Sequence, residues 1–103
     1  MDSSQKALKK TSLFLWDAIK KNNIDEINRI LQEFPVDHPI TDCGLTAIAF
    51  ACSWSAETVI FETILKYKPN INAANKQRKT PLHQAALAGN LVALNILLKQ
   101  PAL

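Results

Sequence analysis

The sequence predicts an all-α solenoid of stacked helix-turn-helix units, and three observations carry that prediction. The stretch Thr80-Pro81-Leu82-His83-Gln84-Ala85-Ala86-Leu87-Ala88-Gly89-Asn90 reads as a helix opened by a capping threonine and a proline and closed on a glycine, with a second helix to follow. Two fainter copies precede it. Thr46 to Cys52 aligns with Thr80 to Ala86, and Leu15 to Ile19 aligns with Leu82 to Ala86, so Ala18, Ala51 and Ala85 recur at steps of 33 and 34 residues. Pro35, Pro69 and Pro101 mark the end of the second helix of each copy independently of the alanines. The one extra residue falls near Ser55 and Ala56, between the helices of the middle copy.

Taken in order, residues 1–11 form a short helical lead that carries Lys6, Lys9 and Lys10. The first unit lacks a Thr-Pro opening, so Ser12 is the expected cap, and Asn22-Asn23 stands where the third unit has Gly-Asn. It reads as an atypical terminal unit, one face of which meets solvent. Its second helix follows from Ile24, Ile27, Ile30 and Leu31 at helical spacing, with Asn23 and Glu26 as a capping box. Ile60, Ile64 and Leu65 define the second helix of the middle unit. Leu91, Leu94, Leu97 and Leu98 define that of the third. Within the third unit, Thr80 caps, Pro81 occupies the first helical position where a missing N–H costs nothing, and His83 bonds back to Thr80. Leu82 points into the core, Ala85 and Ala86 let the next helix approach, and Gly89 takes the left-handed conformation that ends the helix. Each hairpin has an apolar face it cannot bury alone, and stacking closes the core.

These residues resemble the ankyrin repeat, whose signature is T-P-L-H-x-A with a period of about 33 residues. The resemblance covers residues 12–103, as units of about 12–40, 41–74 and 75–103. It implies an L-shaped stack with short hairpin-like fingers, whose fingertips and inner helices form a concave binding face. Carried over by position, Cys43 and Leu45 fall on the first finger and Lys76, Gln77 and Lys79 on the second. Lys20, Lys21, Ser53, Trp54, Leu87 and Ala88 fall on the groove side of the inner helices. The family's finger glycine is present as Gly44 but replaced by Arg78, which predicts a differently bent second finger. Another repeat or another subunit is expected to cover Leu94, Leu97 and Leu98, and a piece of a longer protein is the favoured explanation of the missing cover.

Composition bounds the chemistry. The 103 residues make one small domain, 48% apolar and with only two glycines. No apolar run approaches the roughly 18 residues that a membrane span needs. The first residues lack a basic start and an apolar stretch, so no secretory signal is expected. Two cysteines are too few for a disulfide framework, and Cys52 sits in a small buried slot. An intracellular location, cytoplasmic or nuclear, is therefore expected. His38 and His83 lack partners at metal-ligand spacing, and Gly44 and Gly89 alone cannot build a phosphate loop. No enzyme activity, metal, cofactor or small-molecule substrate is expected.

Charge is uneven along the chain. Residues 1–62 hold six basic and nine acidic side chains, net −3, whereas residues 63–103 hold six basic and none acidic, net +6. Such asymmetry fits an anionic partner, such as an acidic protein surface, and equally a repeat surface that carries solvating lysines. Three functional readings stay open at this point. One is a protein-binding module or scaffold. Another is a structural subunit docked permanently through its C-terminal repeat. The third is an electrostatic binder of nucleic acid or acidic lipid.

Overall fold

The computed structural model describes residues 3–54 and 56–101, with side chains from position 8 onward. Six helices occupy them in chain order: α1 Ser3–Lys20, α2 Ile24–Leu31, α3 Ala47–Trp54, α4 Thr58–Leu65, α5 Pro81–Ala88 and α6 Leu91–Leu98. No strand occurs among the described residues. Each consecutive pair forms an antiparallel hairpin. The first helices stack as α1, α3, α5 and the second as α2, α4, α6, giving the two layers of an all-α solenoid.

The middle inner helix shows why stacking is needed. Residues Ala47 to Cys52 of α3 are all buried, with neighbours α1 on one side and α5 on the other. A helix apolar all round survives only when covered all round. Its small Ala47, Ala49, Ala51 and Cys52 permit close approach, and α3 packs most extensively on α5. Ile60, Phe61 and Ile64 of α4 complete the core with Ile19, Ile27 and Ile48.

Helix ends follow the local sequence. Thr80 Oγ1 accepts from the His83 backbone N–H at 3.4 Å, and His83 Nδ1 accepts from the Thr80 N–H at 3.0 Å, a reciprocal capping box with Pro81 just inside. Gly89 ends α5 at φ 67°, where the Asn90 N–H reaches back to the Ala85 carbonyl at 2.8 Å. Asn22 reproduces this turn at φ 55°, with the Asn23 N–H on the Ala18 carbonyl at 2.9 Å. Asn90 caps α6 through Oδ1 and donates from Nδ2 to the Cys52 carbonyl at 3.1 Å, tying one unit to the one before.

Several expectations change. Ser12 does not start a helix, because α1 runs unbroken from Ser3. Its hydroxyl, buried mid-helix, donates to the Leu8 carbonyl at 2.8 Å. Only half of the first capping box forms. Asn23 accepts from the Glu26 N–H, but the Glu26 carboxylate turns to Arg29 Nε at 3.1 Å. Leu82 is 39% exposed rather than in the core, since no helix packs on that side of α5 among the described residues. The extra residue of the middle unit involves Ser55, which lies outside the described residues; α4 starts there from Glu57 without a side-chain cap.

The second finger is not bent differently from the first. Arg78 takes φ 63° and Gly44 φ 88°. The Arg78 N–H bonds the Asn75 carbonyl at 3.0 Å as the Gly44 N–H bonds the Thr41 carbonyl at 3.1 Å. Asn75 Oδ1 accepts from the Lys79 N–H, and Thr41 Oγ1 from the Leu45 N–H, both at 3.0 Å. The side-chain acceptor that opens each turn dictates the same closure, and arginine accepts the left-handed strain.

Candidate partner-binding groove

The side of α1, α3 and α5 that faces the fingers carries a compact aromatic cluster. Trp16 and Lys20 lie four residues apart on α1 and therefore on one face. Phe50 and Trp54 repeat that spacing on α3. Packing of α1 on α3 joins the pairs. Trp16 and Phe50 ring centroids are 5.8 Å apart, and Phe50 stacks on Trp54 at 6.1 Å with 16° between ring planes. Lys20 Nζ sits 4.1 Å from the Trp16 ring centroid and 5.0 Å from that of Trp54, so two indoles hold one ammonium. Phe50 is buried at the base, while Trp54 is 44% exposed.

The first finger closes the other side of Trp16. A cleft of about 300 Å³ is lined by Leu13, Trp16, Ile40, Thr41 and Asp42. The two fingertips are joined by the Lys76 N–H on the Cys43 carbonyl at 3.0 Å. Lys76, Gln77 and Arg78 are exposed on the second finger, and Lys79 is half-buried.

The residues expected at a binding face separate into three groups. Lys20 and Trp54 meet in the cluster. Lys21 is exposed and paired with Asp17 at 3.0 Å, and Leu87 and Ala88 are exposed one unit further along, with Leu87 at 68%. Ser53 is half-buried and its hydroxyl donates to the Phe50 carbonyl at 2.9 Å, so it serves the helix. Leu45 is a correction: it is 7% exposed and belongs to the core with Ile40, whose N–H donates to the Leu45 carbonyl at 2.8 Å across the base of the finger. Cys43 is half-buried with Sγ 3.3 Å from Thr41 Oγ1. Cys52 is a buried free thiol whose pKa burial pushes up to about 12, so it stays protonated and inert.

Sequence reasoning missed Trp16, Phe50, Leu13 and Asp42. The spacing of Trp16 and Lys20 was a local signal, but their meeting with Trp54 depends on a contact between helices. Among the described residues, no group of three His, Cys, Asp or Glu side chains could hold a metal, and no helix is long and apolar enough to cross a membrane.

Stacked hairpins, short fingers and a finger-side groove define an all-α helical repeat solenoid. The family model for ankyrin repeats in three copies matches residues 15–102, and the chain belongs to that family. Ankyrin repeat domains are generally protein–protein interaction modules and typically non-catalytic. Among solved structures, the chain is similar to the human ASB11 ankyrin repeat domain, with a TM-score of 0.69 and 21% identity. That match covers 82% of this chain but 38% of the other, so the chain spans well under half of that structure's length. No curated protein sequence matches the chain.

Proposed function

We propose that the chain binds another protein in the groove formed by its inner helices and two fingers. The observation that carries this reading is the half-exposed Trp54, stacked on a buried Phe50 and beside a lysine held between indoles. A preordered aromatic of this kind loses little side-chain entropy on binding and suits an interface anchor. The experiment is site-directed photo-crosslinking in cells that make the whole protein. A benzophenone amino acid replaces Leu87 in the groove or Glu62 on the outer helix, both exposed. A discrete adduct from position 87 and none from 62 is expected. Equal adducts, or adducts from 62 alone, overturn the reading.

A second reading concerns the C-terminal face. Leu82 and Leu98 stand where the middle unit has Ile48 and Leu65. Ile48 is fully buried and Leu65 half-buried, whereas Leu82 and Leu98 are 39% and 68% exposed. This supports a cover on that face in the working protein, either a further repeat or another subunit. Weak amide protection in α6 that rises when such a segment is added is the expected result. The free thiols Cys43 and Cys52 support a reducing, intracellular location for both readings.

A further inference from the structure

Trp16 is shared between two features with opposite chemistry. On one side it walls the apolar cleft of about 300 Å³ with Leu13 and Ile40. On the other its ring carries the Lys20 ammonium. The ammonium has three donors and no acceptor, and indole faces attract its charge without satisfying those donors as an oxygen would. The ion pairs recorded among the described residues are Lys21–Asp17 and Arg29–Glu26, so Lys20 has no carboxylate of its own.

We infer that the Trp16–Lys20–Trp54 site recognises an extended, acidic segment of a partner protein, one apolar side chain filling the cleft and a neighbouring carboxylate pairing with Lys20 Nζ. The inference rests on the groove reading and adds the chemistry of its occupant. Charge complementarity gives the direction. Asp42 stands on the rim of the cleft and repels a carboxylate there, which leaves the acid for the Lys20 side. Asp17, the other carboxylate close by in sequence, is neutralised by Lys21. On the second finger, Lys76 and Arg78 are exposed and positive, within the stretch of residues 63–103 that has no acidic residue. Charge of this kind speeds and orients encounter with an acidic segment. Single-stranded nucleic acid would also meet lysines and aromatics. It needs open ring faces for base stacking, and here Phe50 and Lys20 already lie against Trp54 and Trp16.

The chain has two tryptophans, both in this site, so intrinsic fluorescence reads the site directly. The probes are a blocked peptide alternating glutamate with leucine and phenylalanine, its glutamine counterpart, its lysine counterpart and single-stranded oligo-dT. The glutamate peptide is expected to change the emission and bind at least tenfold tighter than the glutamine peptide. Lys20→Gln should reduce that preference below threefold while the far-UV circular dichroism at 25 °C shows the same helical fold, and Lys20→Arg should retain it. Equal binding of the glutamate and glutamine peptides, lost on Leu13→Ser, overturns the inference while the groove reading survives. A larger response to oligo-dT overturns it in favour of nucleic acid. Silence from all peptides, with adducts still formed from position 87, overturns this inference alone.

Discussion

Replacing Arg78 with glycine should stabilise the protein, and the two fingers supply the comparison from which the magnitude is worked. Both turns close through the same pair of hydrogen bonds, with Gly44 at φ 88° and Arg78 at φ 63°. A residue with a Cβ in the left-handed region costs roughly 1–2 kcal/mol. Glycine gives back about 0.4–1 kcal/mol through its greater freedom in the unfolded chain. The net gain expected for Arg78→Gly is about 0.5–1 kcal/mol, a rise in Tm of roughly 2–6 °C for a domain of this size. The reverse change, Gly44→Ala, should destabilise by more than the backbone term alone. A Cβ there meets the Lys76 backbone nitrogen and Cγ at 3.3 Å, and the nitrogen is held by its bond to the Cys43 carbonyl. Thermal and urea unfolding followed by circular dichroism measure both. An Arg78→Gly protein no more stable than the parent refutes the strain argument. It would mean that Arg78 makes a favourable contact large enough to offset its backbone conformation.

Thr46→Val should raise stability by about 1 kcal/mol, because the buried Thr46 Oγ1 has no hydrogen-bond partner and an orphaned hydroxyl costs roughly 1–3 kcal/mol; a loss of stability in urea unfolding would show that the hydroxyl is satisfied after all. A disulfide-exchange reagent at pH 8 should label Cys43 in the native protein, and Cys52 only after unfolding. Burial keeps the Cys52 thiolate from forming until about pH 12, so its native reactivity should stay negligible as pH rises through the ordinary thiol range; two thiols reacting at equal rates would contradict this. Ile48→Ala should cost roughly 2–5 kcal/mol, and Leu82→Ala, at the equivalent slot one unit later, under about 1 kcal/mol. Equal costs would mean that Leu82 is covered in solution.

The repeat architecture was legible because its marks are local. Thr80, Pro81, His83, Gly89 and Asn90 each act within a few residues, and each took the conformation its chemistry dictates. The alanine register was equally legible, since a small side chain at Ala18, Ala51 and Ala85 is what close helix approach demands. Failures came where a residue answers to something distant. Leu82 has the motif's identity but no neighbour among the described residues that buries it. Leu45 sits in a finger and yet serves the core beneath it. Ser12 resembles a cap, but the helix had already begun at Ser3. Arg78 was expected to alter its turn, and the Asn75 side chain imposed the turn regardless. Of the groove, single members such as Lys20 and Trp54 could be placed by register alone. Their meeting with Trp16 could not, because it arises only when α1 lies against α3.

The cluster also explains why the first two units depart from the motif. In the third unit the slot of His83 is spent on closing the capping box with Thr80. The same slot in the first unit is Trp16. Because α1 continues upstream to Ser3, its backbone N–H groups at this point are already bonded within the helix and need no cap. That frees the slot for an indole. In the middle unit the slot is Ala49, and the consequence is visible at once: Thr46 keeps the threonine but has no histidine to bond, and its hydroxyl is left orphaned. The motif is therefore weakest at the two inner helices that meet in the groove. Two departures put groove side chains one and two positions before the slots of Gly89's turn: Lys20 stands where the third unit has Leu87, and Trp54 where it has Ala88. Core residues of the same helices, Ile19 and Ala51 among them, remain buried and hold these side chains on rigid backbone. A stack held by the regular positions can lose motif residues on its finger side at a cost of one unpaired hydroxyl, and it gains there two indoles with a lysine between them.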